Sequence, residues 1–175
     1  MGFDESKPRE ALLFRNLENS AVESLDLFNE WIYDNALEYI SKMKNLKSLD
    51  ISWCYEISPS GLKQIFSNDN ISELDIRGIN LENAGDIFPR NRGLKKISLS
   101  YCPKVIENLL LKMEGLEFIE IGSDEKEGIP EDEILLLNKL PNLKTVTFYN
   151  CYDDAAKAVL KKLDGKCKFK INYEK

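Results

Sequence analysis

The chain has 175 residues, with 30 acidic and 24 basic side chains, four cysteines and no histidine. The missing histidine removes Ser-His-Asp and Cys-His catalytic groupings and imidazole metal ligands, and no run of about 18 apolar residues offers a membrane span. Residues 1–60 hold 11 acids against 6 bases, 61–139 hold 15 against 10, and 140–175 hold 4 against 8; an acidic body with a basic end argues against general nucleic-acid binding, which needs a broad basic field.

In chain order, Pro8 to Leu17 reads as a covering helix within an N-terminal cap of residues 1–20. The start is acidic and has no apolar stretch, so no secretory signal is expected, and the expected setting is cytoplasmic or nuclear. A short unit then recurs. Val22-Glu-Ser-Leu25-Asp-Leu27 is followed by Leu46-Lys-Ser-Leu49-Asp-Ile51 and Ile71-Ser-Glu-Leu74-Asp-Ile76. Leu94-Lys-Lys-Ile97-Ser-Leu99, Leu116-Glu-Phe-Ile119-Glu-Ile121 and Leu143-Lys-Thr-Val146-Thr-Phe148 continue it, and Lys166-Cys-Lys-Phe169-Lys-Ile171 is a degenerate last copy. Self-similarity at a period of 22 to 27 residues is the mark of a stacked repeat array. Within each copy the residues alternate in and out around the second and third apolar positions, which predicts a short strand. Seven such strands running the same way predict one parallel sheet in register.

The second half of each repeat reads as a helix. Asp34 is expected to cap one carrying Leu37, Ile40 and Met43, and Ser58-Pro59 opens one carrying Leu62, Ile65 and Phe66. Leu109, Leu110 and Met113 serve repeat four, and Ile134, Leu135 and Leu137 serve repeat five. Repeat five is the longest, and its Glu131, Asp132 and Glu133 suit a helix start favoured by the dipole. Asp153 is expected to cap the helix of Val159, Leu160 and Leu163. The array spans 21–163, and residues 164–175 form a closing strand in which Lys166, Lys168 and Lys170 discourage pairing with another chain. The expected fold is α/β: a right-handed solenoid bent into an arc, parallel sheet on the concave side and helices on the convex side.

Cys54, Cys102 and Cys151 share one repeat position, 48 and 49 residues apart, or two repeats. Strands lie about 4.8 Å apart, so these sulfurs stand roughly 10 Å from one another. A disulfide needs Cα atoms within about 7 Å, and zinc needs its ligands about 2.3 Å from one centre. The reading is a small buried thiol that bonds a nearby loop backbone. No metal, cofactor or catalytic residue is expected.

Counting the first apolar residue of each unit as position one, positions three, five, seven and eight should project from the concave sheet. Position five supplies Asp26, Asp50, Asp75 and Glu120, and position three supplies Glu73, Lys96 and Phe118. Position seven supplies Phe28, Arg77 and Tyr149, and position eight supplies Trp53 and Tyr101. Three aspartates about 5 Å apart repel one another for no evident folding reason, which points to a basic partner segment. Exposed aromatics on a rigid scaffold are residue types that dominate interface energies. These twelve are the candidate partner-binding residues of a protein-interaction surface, on a monomer or a subunit of a hetero-complex. A divalent cation or a hydrolytic site in the acidic concavity is the rival reading.

Leu46–Leu62 (LKSLDISWCYEISPSGL) and Leu94–Cys102 (LKKISLSYC) resemble the cysteine-containing subclass of leucine-rich repeats. That subclass is known from F-box substrate receptors of SCF ubiquitin ligases and from antagonist-of-mitotic-exit proteins. The resemblance implies adaptor or substrate-recruiting work through the concave sheet. The residues before the first repeat are too few for an F-box, so direct contact with the ligase core is not expected. The chain is also similar to the mitochondrial ATP synthase subunit s family, which implies an accessory subunit.

Overall fold

Each recurring unit does form a strand, because its alternating apolar residues have one buried face to fill. A computed structural model describes residues 14–82, 84, 87–101, 105–122 and 129–149, together with the backbone of 168–172. The strands are β1 (Ser24–Asp26), β2 (Ser48–Asp50), β3 (Glu73–Asp75), β4 (Lys96–Ser100), β5 (Phe118–Gly122), β6 (Thr145–Tyr149) and β7 (Lys168–Asn172). They make one seven-stranded parallel sheet in chain order. The register matches equivalent repeat positions throughout: Leu25, Leu49, Leu74, Ile97, Ile119, Val146 and Phe169 form a single row. A slip of one residue would turn that row to solvent, so burial of Leu49, Leu74, Ile97, Ile119 and Val146 fixes the pairing.

Behind the sheet lie α1 (Asp34–Ile40), α2 (Pro59–Phe66), α3 (Val105–Asn108) and α4 (Glu131–Leu136). Each of the last two is followed by a 3-10 turn, Leu110–Lys112 and Leu137–Lys139. Leu109, Leu110, Met113, Ile134 and Leu137 are buried as expected, while Leu135 is only half-buried. Glu131, Asp132 and Glu133 occupy the first turn of α4.

Ser58 caps α2 as the sequence suggests, its Oγ accepting from the backbone N–H groups of Ser60 and Gly61. Asp34 does not cap α1. Tyr33 holds the extended backbone of the cap position, and Asp34 is already inside the helix. Its carboxylate therefore reaches sideways to the next repeat, where it accepts from the N–H of Ser58 at 2.8 Å and from the Ser58 hydroxyl. Gly61 makes room for it, since a Cβ there would stand 2.2 Å from Asp34 Oδ1.

The return segments do not all show the expected helix among their described residues. Among the described residues none lies between β3 and β4. Ile79, Leu81, Ala84 and Phe88 fill the core there, and Phe88 meets Phe66 edge to face at 5.0 Å. Asn91 and Gly93 follow, and the sequence offers this repeat no capped apolar stretch comparable to Ser58–Phe66.

Two buried asparagines bind successive repeats at the opposite edge. Asn68 donates to Ser41 O at 2.9 Å and accepts from the N–H of Asn70. Asn91 donates to Phe66 O at 2.8 Å and accepts from the N–H of Leu94 at 2.8 Å. Each satisfies carbonyl and amide groups that would otherwise be orphaned in the core.

Of the expected N-terminal helix only residues from Phe14 onward are described, and Phe14 is buried. Cys102, Cys151 and Cys167, the insertion at 123–128 and the helix after Asp153 lie outside the described residues.

Candidate functional site

The sheet register brings Asp26, Asp50 and Asp75 side by side, in direct pairing from β1 to β3. The row is not free of a folding role, contrary to the expectation. Each carboxylate accepts from the backbone N–H two residues on: Phe28 at 3.0 Å, Ser52 at 2.9 Å and Arg77 at 3.1 Å. A short acidic side chain mimics a backbone turn this way and lets the strand end. The repulsion is thus partly repaid by three turn-closing hydrogen bonds.

The three differ in what else they hold. Ser52 donates its hydroxyl to Asp50 at 2.6 Å and is fully buried; position seven of that repeat turns inward to its aspartate and does not project. Arg77 grips Asp75 with Nε at 3.0 Å and Nη2 at 2.6 Å. That hydrogen bond, before the charge itself, pushes the Arg77 pKa up. Net negative charge on the row is therefore carried by Asp26 and Asp50.

Across β3 to β6 the face is hollowed. One depression of about 650 Å³ is lined by Glu73, Lys96, Phe118, Glu120, Thr145 and Thr147, among others. A smaller one of about 240 Å³ adjoins it and is lined by Asp50, Asp75, Arg77 and Ser98. Glu73, Lys96 and Glu120 line both. Glu120 accepts from the Ser98 hydroxyl at 2.7 Å, and Lys96 Nζ stands 3.6 Å from Glu120. A partly exposed pair of this kind is worth about 0–1 kcal/mol, so either member can be exchanged for a partner's charge at little cost. The exposed Phe118 ring adds an apolar wall. Tyr149 lies half-buried at the next-but-one position of β6.

Trp53 and Tyr101 share a repeat position but not an environment. Tyr101 is half-buried, and its hydroxyl donates to Glu133 of α4 at 3.2 Å, so it ties sheet to helix. Trp53 stays exposed at 39%. Its φ is +62°, and the equivalent Asn29 and Gly78 also lie in the left-handed region at +57° and +78°. Glycine and asparagine suit that conformation; a tryptophan pays about 1–2 kcal/mol for it. Gly78 accommodates the indole, for a Cβ there would be 2.8 Å from two ring atoms of Trp53. Tyr55 meets the same indole edge to face, 6.1 Å between centroids at 70°.

Trp31 and Tyr55, absent from the candidates drawn from the repeat pattern, are 73% and 68% exposed. With Trp53, Asn29, Glu30 and Glu56 they line a cleft of about 150 Å³. Both fall after the strand positions, where the repeat formula assigns no direction. An aromatic beside a glutamate was the one signal available.

Cys54 behaves as the sequence suggests. Its buried thiol donates to Leu27 O in the preceding repeat at 3.2 Å, and burial pushes its pKa up. Among the described residues no group of three His, Cys, Asp or Glu side chains is placed to hold a metal ion, and no helix is long and apolar enough to cross a membrane.

No family model matches the chain. It is 31% identical over 140 residues to Receptor like protein 23 of Arabidopsis thaliana, an alignment covering 77% of this chain and 15% of that protein. It is 26% identical over 164 residues to the SCF E3 ubiquitin ligase complex F-box protein pof2 of Schizosaccharomyces pombe, covering 76% of this chain and 33% of that protein. The chain thus spans a third or less of the length of these curated relatives. A crystal structure of a TLR13–ssRNA13 complex overlays with a TM-score of 0.47 at 18% identity, covering 88% of this chain and 29% of that one. The repeated LxxLxL unit and the seven strands paired in chain order make this chain a leucine-rich-repeat solenoid.

Proposed function

We propose that the chain is a non-enzymatic interaction module that recruits a protein partner to its concave face. The observation that carries this reading is the doubly hollowed surface around Glu73, Lys96 and Glu120, with exposed Phe118 on one side and the Asp26–Asp50 pair on the other. Its charges are weakly held, its walls are polar and apolar in turn, and its backbone is a fixed sheet. Such a surface pays little ordering entropy when it binds. The partner's contacting segment is basic, to meet Asp26 and Asp50. Similarity to an F-box protein of an SCF ubiquitin ligase complex supports an adaptor role within ubiquitin-ligase chemistry, in which this solenoid holds the substrate.

Affinity capture from native extract, read by mass spectrometry, tests the proposal. Asp26→Asn with Asp50→Asn keeps the turn-closing oxygens and removes the charge. Lys96→Glu with Phe118→Ala alters the hollows. Proteins captured by the wild type and lost from both variants support the reading, and ligase components among them support the adaptor role. Identical capture by all three proteins overturns the concave-face assignment. Capture of RNA, sensitive to the same substitutions and to ribonuclease, overturns the choice of a protein partner.

A further inference from the structure

The loop edge beyond β1 and β2 carries a second feature that the concave face does not use. Trp31, Trp53 and Tyr55 surround a cleft the size of one side chain, and Glu30 and Glu56 complete its lining. Trp31 and Tyr55 are mostly exposed, so core packing does not account for them. Trp53 sits where neighbouring repeats place Asn29 and Gly78, in backbone that disfavours it. Backbone strain on a bulky residue persists where the surroundings enforce it, and it clusters at working sites. Here Gly78 supplies the seat and Tyr55 steadies the ring.

We propose that this cleft binds a cationic side chain, the ammonium or guanidinium of a basic peptide. Aromatic faces present negative potential to a cation within about 6 Å, and two carboxylates beside them supply acceptors for its N–H groups. The same carboxylates argue against an anionic lipid surface, which exposed tryptophans would otherwise suit. A neutral apolar side chain would leave Glu30 and Glu56 unmatched. The site stands apart from the concave hollows, shares no lining residue with them, and does not rest on the concave-face reading.

The chain has two tryptophans, and both line this cleft, so intrinsic tryptophan emission reports on it. The probe is an acetylated Gly-Arg-Gly-Arg-Gly amide, titrated at physiological ionic strength beside its lysine, citrulline and glutamate counterparts. The arginine and lysine peptides are expected to shift the emission saturably, and the neutral and acidic ones to bind about tenfold more weakly or not at all. Glu30→Gln with Glu56→Gln should weaken the cationic peptides about tenfold, and Tyr55→Ala should do likewise with both indoles kept. Asp26→Asn with Asp50→Asn should leave the titration unchanged. Circular dichroism and urea midpoints confirm that each variant is folded. Equal response to citrulline, wild-type binding by the Glu30/Glu56 variant, loss only in the Asp26/Asp50 variant, or no saturable shift overturns the proposal.

Discussion

The indole of Trp53 rests on Gly78 of the following repeat, two of its ring atoms 2.8 Å from where a Cβ would be. Gly78→Ala therefore meets two penalties, a steric one against the ring and a conformational one at φ +78°. We expect a loss of about 1–3 kcal/mol in urea unfolding, with a change in native tryptophan emission. Trp53→Asn removes a side chain from strained backbone and should change stability by no more than about 1 kcal/mol, because relief of strain offsets lost packing.

Asp50 is both a charge and a turn closer, and two substitutions separate the roles. Asp50→Asn retains an oxygen for the Ser52 N–H and should cost about 0.5 kcal/mol or less. Asp50→Ala strands the N–H and the hydroxyl of buried Ser52 and should cost about 1–2 kcal/mol. Equal stabilities in chemical denaturation would remove the turn-closing role.

Asn91 joins three segments through buried hydrogen bonds. Asn91→Ala should lose about 2 kcal/mol, since Phe66 O and the Leu94 N–H would lose their shared partner. Asn91→Asp should lose more, because a carboxylate cannot donate to Phe66 O. Thermal or urea melts of the two variants give the order directly.

The Cys54 thiol is buried, bonded to Leu27 O, and harder to ionise than a free cysteine. Thiolate is the reactive form. Native protein at mildly alkaline pH should leave Cys54 unmodified by iodoacetamide, and protein in concentrated urea should react there within the same time. Peptide mapping by mass spectrometry reads the difference.

Glu114 lies between Arg90 and Arg92, which it meets at 2.7 and 3.2 Å, and Glu117 pairs with Lys144. Hydrogen bonds from Arg90 and Lys144 respectively are the leading causes that lower these carboxyl pKa values below the ordinary 4.5. A depressed native pKa contributes stability that is present above the unfolded value and is lost as pH falls through the folded one. Stability should therefore decline below about pH 4.5, and Glu114→Gln should flatten that decline. Both carboxylates are still reached by solvent, at 32% and 25% side-chain exposure, so the change is small and shrinks at high salt.

Strand positions, register and the cysteine's role were legible because a single period-2 constraint repeats with buried residues at fixed spacing. The return segments were less so. Asp34 looks like a cap from its place before an apolar run, but Tyr33 takes that backbone, and only three-dimensional packing brings Asp34 to Ser58. Repeat three lacks the Ser-Pro start that marks α2, and its apolar residues alone do not show that its described residues would be non-helical. On the concave face the row Asp26–Asp50–Asp75 follows from register alone. Its coupling to the N–H groups two residues on was missed, because a charge on a strand says nothing of which atom it faces. Trp31 and Tyr55 escaped because the repeat formula ends before them.

The third repeat, in which no described residue is helical, bears on how the sheet curves. A helix is about 10 Å across, whereas strands are spaced at about 4.8 Å, so every helix drives a wedge into the outer rim. A return segment thinner than a helix is expected to open that wedge less, so the sheet should bend less from β3 to β4 than from β1 to β2. Lengthening or shortening the segment between Ile79 and Phe88 is therefore expected to change the span across the proposed binding surface while leaving every residue that lines its hollows in place.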